Sequence, residues 1–191
     1  MNKYVVWETR TVPHGFVLDE LEGVDFDVEL RMGVPCSESF PSKAVFKVDK
    51  DFPNNTKLAD TFYNTQRLII ASEKLKDFIA ARNPPEVEFL PFTILDHKSR
   101  PAGKYFIVHP INPIDALDPK ESGATWSKNN KERIDDITTL VLDRDKIDPA
   151  RLLFKLRYFQ KCVLVRKDLA DAISKKGFTG IKWTECEQYE P

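Results

Sequence analysis

The chain has 191 residues and a formal net charge of -1, from 29 lysines and arginines against 30 aspartates and glutamates. This balance excludes a general electrostatic attraction to nucleic acids or anionic membranes, which favour proteins with a strong basic excess. Hydrophobic residues make up 41% of the sequence, which allows a buried core. We predict a single domain over 1–191, with a loop-rich lobe or cap over 1–60 and a core of sheets and helices over 61–191.

Targeting signals and cysteine usage indicate a cytoplasmic protein. The first residues contain no apolar stretch typical of a signal peptide, and no segment reaches the roughly 20 apolar residues of a membrane helix. Cys36, Cys162 and Cys186 lie far apart and include no CxxC pair. Neither a structural zinc site nor a disulfide framework is therefore indicated.

The first quarter of the chain contains one clear strand and a long irregular region. Residues 4–9, YVVWET, are rich in β-branched and aromatic side chains, which predicts a strand. Prolines and glycines interrupt residues 12–55, as expected of loops. Within that region, residues 25–33, DFDVELRMG, alternate polar and apolar positions and predict one half-buried strand.

Regular structure begins with a short apolar strand near residue 68. A helix follows, with Ser72 as its N-cap and with Asn83 and two prolines ending it. Residues 87–95, VEFLPFTIL, then predict a strand in which Pro91 implies an edge position or a bulge.

The order strand, helix, strand occurs again 94 positions later in the sequence. Residues 161–167 predict a strand, 168–177 a helix capped by Asp168 and ended by Gly177, and 179–185 a strand. Strand–helix–strand units are common, so we interpret the likeness as two helices that pack alike on one sheet rather than as a duplication.

Three further segments, at 104–110, 134–143 and 153–159, are strand-like, and the loop before the first of them indicates an antiparallel hairpin. The sequence thus predicts an α+β protein with a mixed, largely antiparallel sheet, two short helices and a loop-rich N-terminal part.

Signatures of enzymes and metal sites are absent from the sequence. It contains no phosphate-binding glycine loop, no GxSxG and no HExxH. Neither Cys36 nor Cys162 lies in surroundings typical of a cysteine nucleophile, and His97 follows Asp96 at a hairpin tip, as a solvated loop residue does. Residues 143–148, DRDKID, lack the glycine and glutamate of a calcium loop. We therefore predict no catalytic residue, no metal site and no cofactor.

The segment 108–118, VHPINPIDALD, admits two interpretations. His109, Asp115 and Asp118 could be the working groups of a catalytic site, or the segment could be a strand that leaves its sheet. Its two prolines remove backbone donors, so the segment cannot continue as a central strand. We favour the strand that leaves a sheet.

Several short segments follow one another in a distinctive order: a Leu-Pro strand, an apolar strand that runs into an Asn-Pro turn, further strands, and a late helix followed by Thr-Gly-Ile. They read VEFLPFTIL, GKYFIVHPINPIDALDPKES, ITTLVLDRDKID, LLFKLRYF, VLVRKDLADAI and GFTGIKW. In this order and spacing they resemble a family of immunity proteins from bacterial polymorphic toxin systems. The resemblance covers about residues 60–185.

Membership of that family implies a cytoplasmic antidote, which binds a toxin domain delivered between cells and blocks it without chemistry of its own. The shared segments are strands, turns and helix ends, so the resemblance assigns no binding residues. The implied partner is a toxin protein, and we expect no direct binding of nucleic acid or membrane.

A binding face can instead be predicted from physical chemistry. Interfaces concentrate binding energy in a few aromatic or arginine anchors, and Trp126, inside a polar loop, is either such an anchor or a core plug. A nuclease toxin would have a basic active site that an acidic surface could cover. The most acidic central stretch, which could equally be an ordinary solvated surface, supplies Asp115, Asp118, Glu121, Asp135 and Asp136.

Two other functions stay open on the sequence. One is a small cytoplasmic hydrolase or nucleotide-processing enzyme built from scattered polar groups, and the other is a protein-interaction module unrelated to toxins. A deep pocket with a histidine next to a carboxylate or a cysteine would favour the enzyme.

Overall fold

The computed structural model describes residues 3–25 and 27–191, over which the chain forms eleven strands, three α-helices and two short 3-10 turns. The predicted α+β class is confirmed, with sheets that are mixed and mostly antiparallel. The helices are α1 (Asp27–Met32), α2 (Glu73–Ala80) and α3 (Lys167–Lys175). The strands are β1 (Tyr4–Thr9), β2 (Leu18–Glu22), β3 (Val45–Val48), β4 (Ile70–Ser72), β5 (Val87–Leu95), β6 (Pro101–Pro110), β7 (Thr125–Trp126), β8 (Ile134–Asp136), β9 (Leu153–Lys155), β10 (Val163–Arg166) and β11 (Ile181–Glu185).

The N-terminal strand β1 lies inside a four-stranded antiparallel sheet of order β11-β1-β10-β9. It pairs with β10 on one side and with β11 on the other, so both of its neighbours come from the C-terminal part of the chain. The strand predicted at residues 4–9 is confirmed. Residues of the first sixty also supply β2 and β3 to the second sheet, and the number of domains stays a prediction.

The second sheet has five strands in the order β2-β3-β5-β6-β4, and the β5–β6 hairpin predicted from the sequence forms its centre. Pro91 is tolerated in β5 because the parallel pairing with β3 begins only at Thr93. The backbone N–H of Thr93 bonds to Ala44 O on the β3 side at 3.0 Å. The nitrogen of Pro91 points to the same side, two residues earlier, where no strand needs a donor.

The two strand–helix–strand units have the same topology. β4 and β5 flank β6, and β10 and β11 flank β1, so each unit is a parallel strand pair split by an antiparallel strand. The units lie in different sheets, so the prediction that both helices pack on one sheet is wrong. The helices nevertheless share one apolar cluster, to which they contribute Leu75, Ile79, Leu169, Ala170 and Ile173.

Helix ends agree only partly with the prediction. Ser72 caps α2, and its Oγ accepts a hydrogen bond from Leu75 N at 3.3 Å. The predicted cap of α3 is wrong: the helix begins at Lys167 after Arg166, and Asp168 lies in its first turn, where its carboxylate accepts two hydrogen bonds from the Arg166 guanidinium.

Residues 25–33, predicted as a strand, contain helix α1 instead, so that prediction is wrong. Phe26, within this range, lies outside the described residues. Of the helix's alternating apolar residues only Leu30 is buried, while Val28 and Met32 are 50% and 46% exposed. Glu, Leu, Arg and Met are strong helix formers, and Gly33 with φ +73° ends the helix. Local propensity therefore outweighs the two-residue pattern, and the chain has a third helix.

Two predicted strands are much shorter than expected. β8 and β9 each have three residues. Residues after β8 bond instead to neighbouring turns, as in Thr138 N to Ser122 O and Asp143 N to Ala116 O, both at 2.9 Å. β7 and β8 form a separate two-stranded ribbon.

Candidate functional site

The β7–β8 ribbon carries three of the predicted binding residues. Thr125 pairs with Asp136 and Trp126 pairs with Ile134, so Asp135 is an extra residue that bulges from the ribbon. Trp126 is 41% exposed, which fits a surface residue rather than a core plug. The ribbon thus brings Trp126, Asp135 and Asp136 together on the surface.

Trp126 belongs to an aromatic–arginine stack that the sequence did not reveal. Its ring packs edge-on against Tyr158, with ring centroids 5.5 Å apart and planes at 60°. The guanidinium carbon of Arg157 lies 5.2 Å from the Tyr158 ring centroid. We call Trp126, Tyr158 and Arg157 the aromatic triplet. Its Trp and Arg are exposed and its Tyr is half-buried.

The other predicted acidic residues differ in what their carboxylates do. Asp115 and Glu121 are exposed. Asp118 is half-buried and caps a turn, because its Oδ1 accepts hydrogen bonds from Lys120 N at 3.1 Å and Glu121 N at 3.0 Å. Asp135 forms an ion pair with Arg133 at 2.8 Å. Asp118 therefore stabilises a turn. The negative charge of Asp135 on the ribbon is partly neutralised by Arg133.

A groove of about 740 Å³ lies between the ribbon and α1. One wall carries the exposed side chains of Val28 and Met32, and the other carries Arg133, Ile134 and Asp135. Basic residues predominate on its floor and rim, namely Arg31, Arg67, Arg133, Lys155 and Lys161 against Glu132 and Asp135. The sequence prediction missed this groove because it treated the α1 segment as a strand.

A polar cluster of two buried residues and one half-buried residue lies beside the loop after α1. Glu88 of β5 and His109 of β6 are directly opposite in the hairpin register, and Cys36 reaches them from the loop after α1. Cys36 N donates to Glu88 Oε2 at 3.0 Å, and His109 Nε2 lies 2.9 Å from Val34 O. A potential metal site is formed by Cys36, Glu88 and His109, each of which offers one ligand atom within 4.8 Å of the other two. In the described residues 3–25 and 27–191, this is the group that could hold a metal ion.

Burial sets the protonation of this cluster. It raises the pKa of the Cys36 thiol to about 12, with the nearby Glu88 carboxylate adding to the effect. Burial also lowers the pKa of His109. Burial alone would raise the pKa of Glu88, but hydrogen bonds from Cys36 and Ser37 outweigh it and hold that pKa below its ordinary value. The thiol is therefore protonated at neutral pH.

The protonated thiol of Cys36 is evidence against the hypothesis that this cluster is an enzyme active site. His109 does lie beside a carboxylate and a cysteine, but it is only 1% exposed and does not line the groove. A cysteine nucleophile needs a thiolate in an accessible, electropositive place, whereas the Cys36 thiol has a raised pKa and is buried. The cluster lacks the properties of a nucleophile–base pair.

Lys155 connects the cluster region to α1. Its Nζ donates to Leu30 O at 2.7 Å and to Arg31 O at 2.8 Å, which satisfies carbonyls at the end of the helix. Burial lowers the pKa of this ammonium to about 8. A buried lysine on β9 therefore fixes the helix that forms one wall of the groove.

The segment 108–118 leaves its sheet as predicted. β6 ends at Pro110, and buried Arg151 then donates from Nη2 to Ile111 O at 3.0 Å and to Asn112 O at 2.6 Å. His97 lies on the β5–β6 hairpin, where its Nε2 is 2.9 Å from Asn55 O. Neither Asp115 nor Asp118 joins His109 in the buried cluster.

Comparison with known families identifies the chain. A model of an immunity protein family, Imm11, matches residues 8–188, nearly the whole sequence. The chain therefore belongs to this immunity protein family. The resemblance predicted over residues 60–185 is confirmed, and the match extends it through most of the N-terminal quarter. No curated protein matches the sequence.

Family membership assigns the chain an immunity function in general terms and favours a role other than catalysis. None of the helices in the described part of the chain has the length and apolar character of a membrane span.

Proposed function

We propose that the chain is a cytoplasmic immunity protein that neutralises one cognate toxin domain by binding it, without catalysis of its own. Membership of the immunity protein family supports the general role. The observation that supports binding most directly is the aromatic triplet, where Trp126 stays 41% exposed although Tyr158 packs against its ring. Binding hot spots are enriched in Trp, Tyr and Arg.

The proposed binding face consists of the aromatic triplet, the β7–β8 ribbon and the adjoining groove wall of α1. Val28 and Met32 add exposed apolar area on the far side of the groove. Asp136 and the Asp135–Arg133 pair provide polar groups on the same ribbon as Trp126. An apolar centre with a polar, partly charged rim is the usual composition of a specific protein interface.

Inhibition by binding requires at least one immunity protein molecule for each toxin molecule, whereas inhibition by catalysis does not. One immunity molecule blocks one toxin molecule, so protection ends when toxin exceeds the antidote. A catalytic antidote would act in substoichiometric amounts and would leave the toxin covalently changed. The toxin recovered from a binding complex by denaturation should keep its mass and regain its activity.

Co-expression tests this proposal. The untagged chain is expressed with the toxin-like domain encoded beside it, and the two are followed by size-exclusion chromatography, growth rescue and mass spectrometry of the recovered toxin. We expect a stable equimolar complex, rescue of growth, and a toxin of unaltered mass. Absence of both complex and rescue with a correctly folded chain would overturn the proposal, and rescue by substoichiometric amounts would replace it with a catalytic one.

A further inference from the structure

We propose that Cys36, Glu88 and His109 form a binding site for a single Zn²⁺ ion. The site is independent of the proposed toxin partner. Its three ligand atoms already lie within 4.8 Å of one another. Tetrahedral zinc, with bonds of about 2.0–2.3 Å, places its ligand atoms about 3.5 Å apart, so each side chain needs to move inward by only about 1 Å or less.

The sheet register provides two of the three ligands. Glu88 and His109 are a cross-strand pair on β5 and β6, and such pairs hold their side chains next to each other on one face. The third ligand comes from the loop after α1, where the hydrogen bond from Cys36 N to Glu88 Oε2 keeps the cysteine in place at 3.0 Å. The arrangement is therefore built into the central hairpin before any ion binds.

The donor set matches the chemistry of zinc. Thiolate, imidazole and carboxylate are its usual protein ligands, and a site with three of them leaves a fourth position for water. A carbonyl can only accept a hydrogen bond, so His109 Nε2 donates to Val34 O at 2.9 Å and the lone pair of the neutral ring lies on Nδ1. A backbone carbonyl that fixes the tautomer in this way is a common partner of metal-binding histidines.

The charge of the cluster also favours a cation. In the described part of the chain, no lysine or arginine forms a salt bridge with the half-buried carboxylate of Glu88. The buried ammonium of Lys155 donates its hydrogen bonds to the carbonyls of Leu30 and Arg31, although its charge also acts on Cys36 and His109. Zn²⁺ with one thiolate and one carboxylate gives a neutral complex, and the thiol proton is released on binding.

Metal binding would join the loop after α1 to β5 and β6. The ion would thereby stabilise the folded chain and the position of α1, because any ligand that binds only the folded state adds to its stability. The sequence did not indicate the site because its ligands are scattered, with Cys36 and Glu88 separated by 52 positions.

Titration of the untagged, chelator-treated chain with Co²⁺, a spectroscopic substitute for zinc, tests the proposal. We expect one equivalent to bind with a thiolate-to-cobalt charge-transfer band and the visible bands of tetrahedral cobalt, and Zn²⁺ to displace it. Zn²⁺ should also raise the thermal unfolding midpoint. Absence of the charge-transfer band in the wild-type chain would overturn the proposal.

Matched variants locate the ion. Cys36→Ser and Glu88→Gln, which keep the side-chain shapes, should each weaken binding by roughly 100-fold or more, since even partners of metal ligands contribute about 10- to 100-fold. Cys186→Ser alters another buried cysteine, and His97→Gln alters the hairpin histidine, so both should bind as the wild type does. Circular dichroism confirms that each variant is folded. An unchanged cobalt spectrum in folded Cys36→Ser would refute the site.

Discussion

Gly33 holds the loop after α1 against the end of β6. Its φ is +73°, and a Cβ at this position would lie 2.9 Å from Pro110 O. Gly177, after α3, has the same φ of +73° but no atom within 4 Å of the corresponding point. We expect Gly177→Ala to cost about 1 kcal/mol of unfolding free energy for the left-handed backbone alone, and Gly33→Ala about 2–4 kcal/mol because an overlap is added.

Urea denaturation of the two alanine variants measures this difference directly. Because the two φ angles are equal, the comparison separates the contact with Pro110 from the cost of a positive φ. Equal losses of stability in both variants would mean that the loop yields freely, and that the close approach of Gly33 contributes little.

Lys155 makes stability depend on pH. Burial lowers its pKa in the folded chain to about 8, from an ordinary value of 10.5. Between these values the unfolded chain binds more protons than the folded chain, so the contribution of Lys155 to stability rises with pH in this window. Below pH 8 the folded state carries the full cost of burying the ammonium, about 3 kcal/mol.

The variant Lys155→Met removes this titration while keeping most of the side-chain volume. We expect the stability of the wild type relative to the variant to increase by about 1.5 kcal/mol between pH 8 and pH 9.5. Chemical denaturation of both chains at pH 7, 8 and 9.5 gives the comparison, in which other groups cancel. A difference that stays constant with pH would show that the ammonium is solvated.

At the scale of the elements, Asp60 links the two strand–helix–strand units. Its carboxylate accepts hydrogen bonds from Ser72 Oγ at 2.7 Å and from Thr179 N and Oγ1 at 2.8 and 2.9 Å. Ser72 begins α2, and Thr179 follows α3 in the Thr-Gly-Ile segment of the family resemblance. The Thr-Gly-Ile segment therefore helps to hold the two sheets together, through the hydrogen bonds between Thr179 and Asp60.

Removal of this link should destabilise the chain without affecting surface charge pairs. We expect Asp60→Ala to lower the unfolding free energy by about 1–2 kcal/mol, because it removes one part-buried and two exposed hydrogen bonds to a carboxylate. Asp171→Ala, which removes an exposed pair with Lys167, should change it by less than about 0.5 kcal/mol. A double-mutant cycle with Thr179→Ala should show coupling; strict additivity of Asp60→Ala and Thr179→Ala would contradict the link.

Elements with local signals could be predicted from the sequence, and elements defined by distant partners could not. The cap at Ser72 and the helix-ending residues Asn83 and Gly177 are signals from neighbouring residues, so α2 and α3 are predictable from the sequence. Helix α1 has only six residues, and its alternating apolar positions imitate a strand. The lengths of β8 and β9 depend on turns that take over their hydrogen bonds, which no local pattern reveals.

The same distinction applies to the candidate sites. From the sequence, Trp126 could be predicted only as either a surface anchor or a core plug, and its exposed fraction of 41% favours the surface position. Its contact with Tyr158, and the cluster of Cys36, Glu88 and His109, depend on strand register and on the position of α1. Such contacts between distant segments require the three-dimensional structure.

At the scale of the whole molecule, the proposed binding face predicts which exposed aromatic residue matters. Trp126 and Phe52 are similarly exposed, at 41% and 47%, but Phe52 lies outside the ribbon and the groove. We expect Trp126→Ala to weaken toxin binding by about 30-fold or more, which corresponds to a hot-spot loss of about 2 kcal/mol. Phe52→Ala should leave the affinity within about twofold.

Calorimetric titration of the purified toxin domain with each variant checks this expectation. Trp126→Ala should lose some stability, because the side chain is only 41% exposed and packs on Tyr158, so thermal unfolding first confirms that each variant is folded. If both variants bind as the wild type does while the complex forms normally, the toxin contacts another face of the molecule.

The pairing of β1 with both β10 and β11 has a consequence for the order of synthesis. The first strand leaves the ribosome long before its two neighbours at residues 163–166 and 181–185 exist. At about 5–20 residues per second, this delay is roughly 10 to 35 s. The five-stranded sheet, complete at Pro110, can form in the meantime, while an apolar strand waits unpaired at the N-terminus. A chain whose translation stops before residue 181 therefore lacks one of the two partners of β1 and cannot complete the four-stranded sheet.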